Sequence, residues 1–135
     1  QLIAFETAIA TENADYGRLA YLMHPSVAGK LKSTLKASGT SATFLMDGPN
    51  NGTAQINGYR TLTSTLVPVS TGVYHAFFGN WEELLIGQWG GVDLMINPYT
   101  KAKEATVEVI VNSFWDLGVR HAKSFCVSTN VTAST

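Results

Sequence analysis

The chain has few charges and a single cysteine, and each shortage excludes a class of function. Charged residues make up 14% of the 135 residues, and nine basic against ten acidic side chains leave a net charge of −1. Without a basic excess the chain as a whole has no electrostatic footprint for general nucleic-acid binding. Cys126 has no second cysteine to pair with, so the fold does not depend on an oxidising compartment. A weakly charged surface is more tolerable where neighbouring copies cover it, which favours assembly.

Long apolar runs and catalytic motifs are also missing. No run approaches the roughly 20 residues of a membrane helix, and no nucleophile elbow, Walker loop, dinucleotide fingerprint or His-Glu-x-x-His occurs. His24, His75 and His121 are far apart and have no Cys, Asp or Glu at a metal-ligand spacing. We therefore expect no catalytic residue, no cofactor, no metal and no membrane contact. Because Gln1 begins what looks like the middle of a fold, we expect a piece of a longer protein.

The most informative stretch is 84–99, which reads LLIGQWGGVDLMINPY. Two apolar runs with strand character flank a glycine-rich knot, and the second run stops at a proline. A tryptophan among three glycines predicts a large side chain packed where the backbone bends. We interpret the stretch as a bent strand or a hairpin, and we expect a bulky charge in place of Gly90 to unfold the domain. Its structural turn residues are Gly87, Trp89, Gly90, Gly91 and Pro98.

The first two thirds of the chain alternate helical and strand-like patterns. Leu2, Phe5 and Ile9 recur at helical spacing, and Pro25 suits the first position of a second helix that should stop at Ser38-Gly39. One strand-like run, 19–23, lies between the two helices, and two more, 56–66 and 73–79, follow the second helix, with turn signals such as Asn-Gly around them. A last short strand is expected at 124–128 and a loose polar tail over 129–135.

A long period-two pattern fills the last third, where the apolar residues fall on odd positions from Val107 to Val119. Fifteen extended residues span roughly 50 Å. A compact domain of this size has a radius of gyration of about 14 Å, so the strand is too long to fit within it. The pattern therefore predicts an arm strand over 105–120 that leaves the body of the domain.

The order of these pieces resembles the C-terminal part of a tailed-phage major capsid protein with the Hong Kong type of shell fold. The residues that carry the resemblance are His24-Pro25, Asn57-Gly58-Tyr59, Phe78-Gly79 before Leu85-Ile86-Gly87, the Trp89-Gly90-Gly91 turn, Asn97-Pro98-Tyr99, and Val119-Arg120-His121 with Ser124-Phe125. The match extends from residue 1 to about 130. Gln88 and Asn97 stand where many relatives are expected to have charged residues.

The resemblance implies an α+β fold, with a mixed central sheet flanked by helices as the capsid axial domain and a long protruding β-strand arm from the peripheral domain. By this assignment residues 1–97 are mostly the axial body, 98–120 the peripheral arm, and 121–135 a final strand that rejoins the body plus the loose tail. The family's N-terminal arm, extended loop and long spine helix are not in this chain.

The resemblance also implies a structural protein without enzymatic activity, which self-associates into pentamers and hexamers of an icosahedral phage or prophage shell. It would reside in the virion capsid, and in the bacterial host cytoplasm during assembly. Its partners would be copies of itself, scaffold, portal or decoration proteins, and at most weak nonspecific packaged DNA. Two polar, near-neutral loops, 40–58 and 64–72, can approach identical copies without like-charge repulsion. Their proposed assembly residues are Asp47, Asn51, Asn57, Tyr59, Thr65 and Ser70.

Two alternatives stay open at this point. A non-catalytic binding module or another virion component with a related mixed fold would be a compact monomer without a protruding 105–120 strand. A small hydrolase or nuclease fragment would need at least two acidic or histidine side chains to converge in one pocket. The candidates for such convergence are His24, His75, His121, Asp93, Glu82 and Asp116.

Overall fold

The computed structural model describes residues 2–36, 43–49, 53–70 and 72–132, and the chain divides into two units. One unit, here called the body, comprises residues 1–83 and 121–135, and the other, here called the ribbon, is Leu84–Arg120. The body contains two helices, α1 (Leu2–Thr11) and α2 (Pro25–Ser33). Its six strands are β1 (Leu19–Met23), β2 (Gln55–Ile56), β3 (Tyr59–Thr63), β4 (Val69–Ser70), β5 (Val73–Asn80) and β8 (Phe125–Thr132). The ribbon contains the remaining two strands, β6 (Leu84–Asn97) and β7 (Glu108–Val119).

A six-stranded mixed sheet forms the body. Strand β1 pairs in parallel with β3 and antiparallel with β5, which also pairs antiparallel with β4 and β8, while β2 pairs antiparallel with β3. The parallel pair follows from the connection between β1 and β3, because parallel neighbours need a crossover and α2 lies in it. The expected α+β class with a mixed sheet and helices is confirmed.

The core lies where the helices meet the sheet. Tyr21 of β1 is fully buried and stacks on Phe78 of β5, its partner in the strand register, with ring centroids 4.2 Å apart. The ring of Phe5 meets Tyr21 edge-on, and Ile9 is buried one helical turn later. The spacing of Leu2, Phe5 and Ile9 therefore predicts both the helix and its buried face correctly.

Helix α2 begins as predicted and ends earlier than predicted. Pro25 is its first residue, and the side chain of His24 caps it by accepting a hydrogen bond from the amide of Ser26 at 3.2 Å. The helix ends at Ser33, and Leu35 already forms an antiparallel bridge with Phe44. The expected stop at 38–39 lies outside the described residues. The early end has a local cause, because serine and threonine hydroxyls compete for backbone carbonyls near a helix terminus.

The β2–β3 hairpin confirms the turn predicted at Asn57-Gly58. Both residues have positive φ, 51° and 88°, and Ile56 pairs with Tyr59 across them. This is the two-residue turn that suits the twist of a hairpin, and Asn-Gly is its preferred sequence.

At the C-terminal end the structure differs from the expected short strand and loose tail. Strand β8 continues to Thr132, and Val131 pairs with Tyr74 of β5. Thr129–Thr132 thus belongs to the sheet, because β5 is long enough to pair with a strand of eight residues. The register shifts between Tyr74 and Ala76, where β8 accommodates an irregularity.

The ribbon is a two-stranded antiparallel sheet of β6 and β7, joined by a connection that contains Pro98 and a short 3-10 turn, Ala102–Glu104. Strands of 14 and 12 residues exceed the usual 3–10. The long period-two strand is thus present, and its partner is the glycine-rich stretch. The unit boundary falls at Leu84 and not after Asn97, because β6 is hydrogen-bonded along its length to β7 and belongs to a different sheet from β1–β5.

A bulge lies at the centre of the ribbon. Trp89 pairs with Phe114 and Asp93 with Asn112, so three residues of β6 stand opposite the single Ser113. Gly90, the first of the three, has φ +67°, a conformation that glycine adopts at little cost. The glycine-rich knot is therefore a bent strand within a hairpin, as the sequence predicts.

Candidate assembly surfaces

The apolar residues of the ribbon are sorted into two faces by the β6–β7 register, because residues directly opposite in an antiparallel pair share a face and alternate residues along a strand do too. The face here called the apolar face carries no charge. It consists of Leu84, Ile86, Leu94, Ile96, Val109, Val111, Trp115, Leu117 and Val119, with Gln88 and Ser113 as its polar members.

The opposite face of the ribbon is mixed and its charges are all acidic. It consists of Leu85, Trp89, Met95, Ile110 and Phe114 among Asp93, Asn97, Glu108, Asn112 and Asp116, with Gly87 and Gly118. Trp89 lies over Gly87, where an added Cβ would come within 3.4 Å of the indole, yet it remains 62% exposed. The prediction of a tryptophan packed where the backbone bends therefore stays a prediction, because the ring contacts Gly87 but is not buried within this chain. The bend instead leaves its ring beside a glycine on an open sheet face.

Eight side chains of the apolar face are between 49% and 64% exposed, which is unusual for contiguous isoleucine, leucine, valine and tryptophan. Monomeric proteins rarely expose contiguous apolar patches of more than a few hundred Å². The period-two pattern predicted a strand with one apolar side, and the ribbon presents that side without a described partner.

A second exposed apolar group lies on the body, in the loop between β3 and β4. Leu66 is 91% exposed, whereas its neighbour Val67 is buried. The loop is held in place by hydrogen bonds from the Ser64 amide to the Met23 carbonyl at 3.1 Å and from the Leu66 amide to the Ser64 hydroxyl at 3.2 Å. A leucine side chain is thus presented to solvent on a fixed turn.

The predicted assembly residues fall into two groups. Asp47 bridges Gln55 next to the β2–β3 hairpin, which also carries Asn57 and Tyr59, whereas Thr65 adjoins Leu66 and Ser70 ends β4. Asp47, Asn57, Thr65 and Ser70 are exposed, and Asn51 lies outside the described residues. Tyr59 is half-buried, with its ring 5.2 Å from Phe78 and 6.5 Å from Tyr21, so it supports the core.

Asn57 is tied into the body through a hydrogen-bond network. Its side-chain amide donates to Glu6 Oε1 at 3.0 Å, and the hydroxyl of Tyr21 donates to the same oxygen at 2.8 Å. Burial raises the pKa of Tyr21 well above its usual value, and the hydrogen bond to Glu6 and the negative charge of that carboxylate add to the shift. The network fixes the β2–β3 turn against α1, so this part of the surface is preorganised.

The polar candidates for chemistry are scattered within their own units. In the body, His24 lies against Tyr74, His75 near Phe77, and Glu82 beside Arg18. In the ribbon, Asp93 faces Asn112 and Asp116 faces Gly87. An apolar cleft of about 420 Å³ lies between α1, α2 and the sheet, and none of its lining residues that the structure describes is a histidine, aspartate or glutamate. Within the described residues no three metal-ligating side chains come together, and neither described helix has the length and hydrophobicity of a membrane span.

Sequence reasoning missed Leu66 and the unpartnered state of the ribbon. Leu66 and Val67 are adjacent apolar residues before a proline, and the sequence offers no signal for which one points inward. The period-two pattern does locate the apolar face of β7, since Val109, Val111 and Leu117 fall on alternate positions, and the charged residues Glu108 and Asp116 fall on the other face. It carries no information on what covers that face.

Comparison with known proteins gives a consistent result. The model of the phage capsid family matches residues 2–130. The major capsid protein of Halomonas phage phiHAP-1 is 30% identical over 128 residues, which are 95% of this chain, and the chain spans 20% of that protein's length. Among solved structures, the capsid of an empty GTA particle has a TM-score of 0.64 at 15% identity and covers 89% of this chain and 39% of its own. The encapsulin of the holo-SrpI complex from Synechococcus elongatus PCC 7942 has a TM-score of 0.51 at 16% identity, covering 85% and 44%.

Proposed function

Because this chain belongs to the phage capsid family, we propose that it is part of a major capsid protein that self-associates into pentamers and hexamers of an icosahedral phage or prophage shell. The observation that carries the proposal is the uncharged apolar face of the ribbon, which stands half-exposed in the single chain. Burying apolar area contributes about 25 cal/mol per Å². Packing the exposed apolar side chains of this face against another protein surface would therefore be strongly favourable.

We assign that cover to the rest of the capsid protein. The chain spans a fifth of the length of its phage relative, so a protein of that size has ample chain to supply an apolar element. The mixed face, with Trp89 and Phe114 among acidic residues, is left for contact with a neighbouring subunit. Aromatic side chains in a polar surround are typical of interface hot spots.

Ring contacts are assigned to the body, with Leu66 as the anchor. Its loop carries no charge from Ser64 to Ser70, so identical copies can approach without repulsion. A ring contact is heterologous, since the anchor of one copy contacts a different surface of the next copy. The ring closes because the rotation from one copy to the next is a whole fraction of a full turn. Each contact can be weak because many are made at once.

No chemical step is part of this function. The protein acts through free energy of association, in the virion capsid and, during assembly, in the host cytoplasm. Scaffold, portal or decoration proteins are proposed as further partners, and these would meet the assembled rings.

The experiment is electron microscopy of the whole capsid protein that contains this chain, expressed with the other head proteins of its phage or prophage. Five- or six-fold rings, or closed shells, are the expected result. Uniform monomers over a wide concentration range, in the presence of those head proteins, would overturn the proposal. The Leu66→Ser variant then distinguishes a ring contact from ribbon packing, because it should reduce rings without unfolding the body.

A further inference from the structure

The apolar cleft of the body, about 420 Å³ between α1, α2 and the sheet, has hydrocarbon walls and a single charged side chain among its described lining residues. Helix α1 contributes Leu2, Ile3 and Phe5 to the lining, α2 contributes Val27 and Leu31, and the sheet supplies further apolar side chains. From this composition we infer that the cleft binds an anionic amphiphile, a molecule with one alkyl chain and a terminal carboxylate. The inference goes beyond shell assembly and does not depend on it.

The cleft is large enough for a small molecule and is open on one side. Its volume lies within the roughly 300–1,000 Å³ that is typical of ligand sites. Phe5 and Val27 are buried, whereas Ile3, which lines the same space, is 70% exposed. The cleft therefore reaches from the core to solvent beside the first turn of α1. Water within hydrocarbon walls has few hydrogen-bond partners, so its replacement by an alkyl chain is favourable.

Lys36 supplies the charge of the cleft, and it has no carboxylate partner among the described residues. Its amide donates a hydrogen bond to the carbonyl of Thr43 at 2.8 Å, which holds the backbone next to the Leu35–Phe44 bridge. Asn57, the other polar lining residue, already donates its side-chain amide to Glu6 Oε1 at 3.0 Å. The ammonium of Lys36 is thus the cationic group that the cleft offers to an anion.

The lining favours an alkyl carboxylate over a planar ring. Because the stem of a lysine is aliphatic, Lys36 can lie along apolar walls while its ammonium stays at the aqueous edge and contacts a carboxylate there. Among the described lining residues Phe5 is the one aromatic side chain, and its ring already contacts Tyr21 edge-on. A planar ligand would therefore find no pair of rings to stack between, whereas an alkyl chain needs only apolar contact.

The same lining disfavours an extended peptide as the occupant. A peptide strand would bury backbone N–H and C=O groups against hydrocarbon, which is costly because those groups would lose their hydrogen-bond partners in water. An alkyl chain carries no such groups. A ligand that is apolar along its length and anionic at one end therefore matches both the walls and Lys36.

The test measures binding of decanoate to the 135-residue chain by isothermal titration calorimetry below the critical micelle concentration, with decanol as the uncharged ligand of equal length. Saturable binding to a single site is expected, tighter for decanoate than for decanol. Lys36→Gln should weaken decanoate binding about tenfold through loss of a charge-assisted hydrogen bond and leave decanol binding unchanged. Methyl NMR should show ligand-induced shifts at Leu31 and Val131, which line the cleft, and none in the ribbon.

Lys30→Gln is the matched control, because Lys30 is exposed on α2 and is not part of the lining. It removes the same charge and should retain the wild-type affinity for both ligands. Circular dichroism establishes that both lysine variants are folded.

Four results would overturn the inference. The first is no saturable binding of decanoate, and the second is equal affinity for decanoate and decanol or an equal loss in the two lysine variants. The third is release of dimers into monomers by decanoate, which would identify a second copy as the occupant. The fourth is binding by this chain but not by the whole capsid protein that contains it, which would identify another segment of that protein. Light scattering reports self-association separately, so failure of the shell proposal leaves this test intact.

Discussion

The hydroxyl of Tyr21 donates a hydrogen bond to Glu6 Oε1 at 2.8 Å from a side chain that is fully buried beneath α1. This pair joins β1 to the first helix, and Asn57 shares the same carboxylate oxygen at 3.0 Å. One carboxylate therefore holds together a helix, a central strand and a hairpin turn.

The Tyr21–Glu6 pair predicts a loss of stability at alkaline pH. The pKa of Tyr21 is raised in the folded state by burial and by Glu6, so the neutral phenol is favoured in the fold. Its contribution is fully present below the unfolded pKa of about 10 and declines as the pH rises above that value, by at most about 1.4 kcal/mol per pH unit. Urea unfolding between about pH 8 and about pH 11, a range that spans the unfolded-state pKa of about 10 at which the loss begins, measures it. Tyr21→Phe should remove this part of the pH dependence, and an unchanged profile would contradict the assignment.

Leu66 and Val67 form a matched pair for separating assembly from folding. Leu66→Ala should change the free energy of unfolding by less than about 0.5 kcal/mol, because the side chain is 91% exposed. Val67→Ala should cost about 2 kcal/mol, because its side chain is buried. Thermal unfolding and ring counts by microscopy are measured on both. Equal loss of stability in the two variants would show that the loop does not hold Leu66 outward.

Gly90 and Gly91 separate backbone strain from lack of space in the ribbon. An added Cβ meets nothing within 4 Å at either position, but only Gly90 of the two has positive φ. Gly90→Ala should destabilise the ribbon by about 1–2 kcal/mol and Gly91→Ala much less. Hydrogen exchange of the β6 and β7 amides measures local opening. Similar protection in both variants would contradict the strain argument.

This geometry also changes what a charge at Gly90 should do. The expectation that a bulky charge unfolds the domain assumed a packed site, whereas the bulge lies in an exposed ribbon that is a separate unit from the body. Gly90→Glu should therefore loosen β6–β7 while the amides of β1 and β5 keep their protection. Loss of protection throughout the body would restore the original expectation.

Gly29 and Gly79 should respond to alanine in opposite directions. At Gly29, within α2, a Cβ has open space, so alanine should stabilise the chain by about 0.5–1 kcal/mol through helix propensity. At Gly79, in β5, a Cβ would overlap the ring of Phe125 and lie 2.6 Å from the Ser124 carbonyl oxygen. Gly79→Ala should cost about 1–3 kcal/mol by overpacking. Denaturant midpoints with unchanged slopes measure both, and a neutral Gly79→Ala would show that β8 can shift.

Local structure was largely readable from the sequence. The spacing of Leu2, Phe5 and Ile9 predicts the buried face of α1. Pro25 marks the first turn of α2, and Asn57-Gly58 marks the turn of the β2–β3 hairpin. These predictions succeed because helical periodicity, a fixed proline φ and a positive-φ turn act over a few residues. The sequence predicts too late an end for α2. The hydroxyls of Ser33 and Thr34 donate hydrogen bonds to the carbonyl of Lys30, and composition does not reveal this effect of side-chain geometry.

Pairing between distant strands was harder to predict. The resemblance assigns the 84–97 run to the body, whereas the structure pairs it with β7 in a separate unit. Periodicity gives the face of a strand but not its partner. The candidate assembly residues had the same difficulty. Polarity and turn signals found exposed Thr65 and Ser70, but could not show that Tyr59 supports the core or that Leu66 is the exposed apolar group.

The ribbon begins and ends at two residues that pair with each other, so it can be removed or exchanged with little change to the body. Leu84 pairs with Val119, so the two points where the ribbon joins its flanking sequence are about 5 Å apart, the spacing of neighbouring strands. A body discontinuous in sequence is therefore nearly continuous in space at that break. Replacing 85–118 with a two-residue turn would close the chain across the gap. Insertions and deletions can accordingly change the length of the ribbon while the strands of the six-stranded sheet keep their register. The ribbon can therefore be replaced by a longer or shorter hairpin without rebuilding the body.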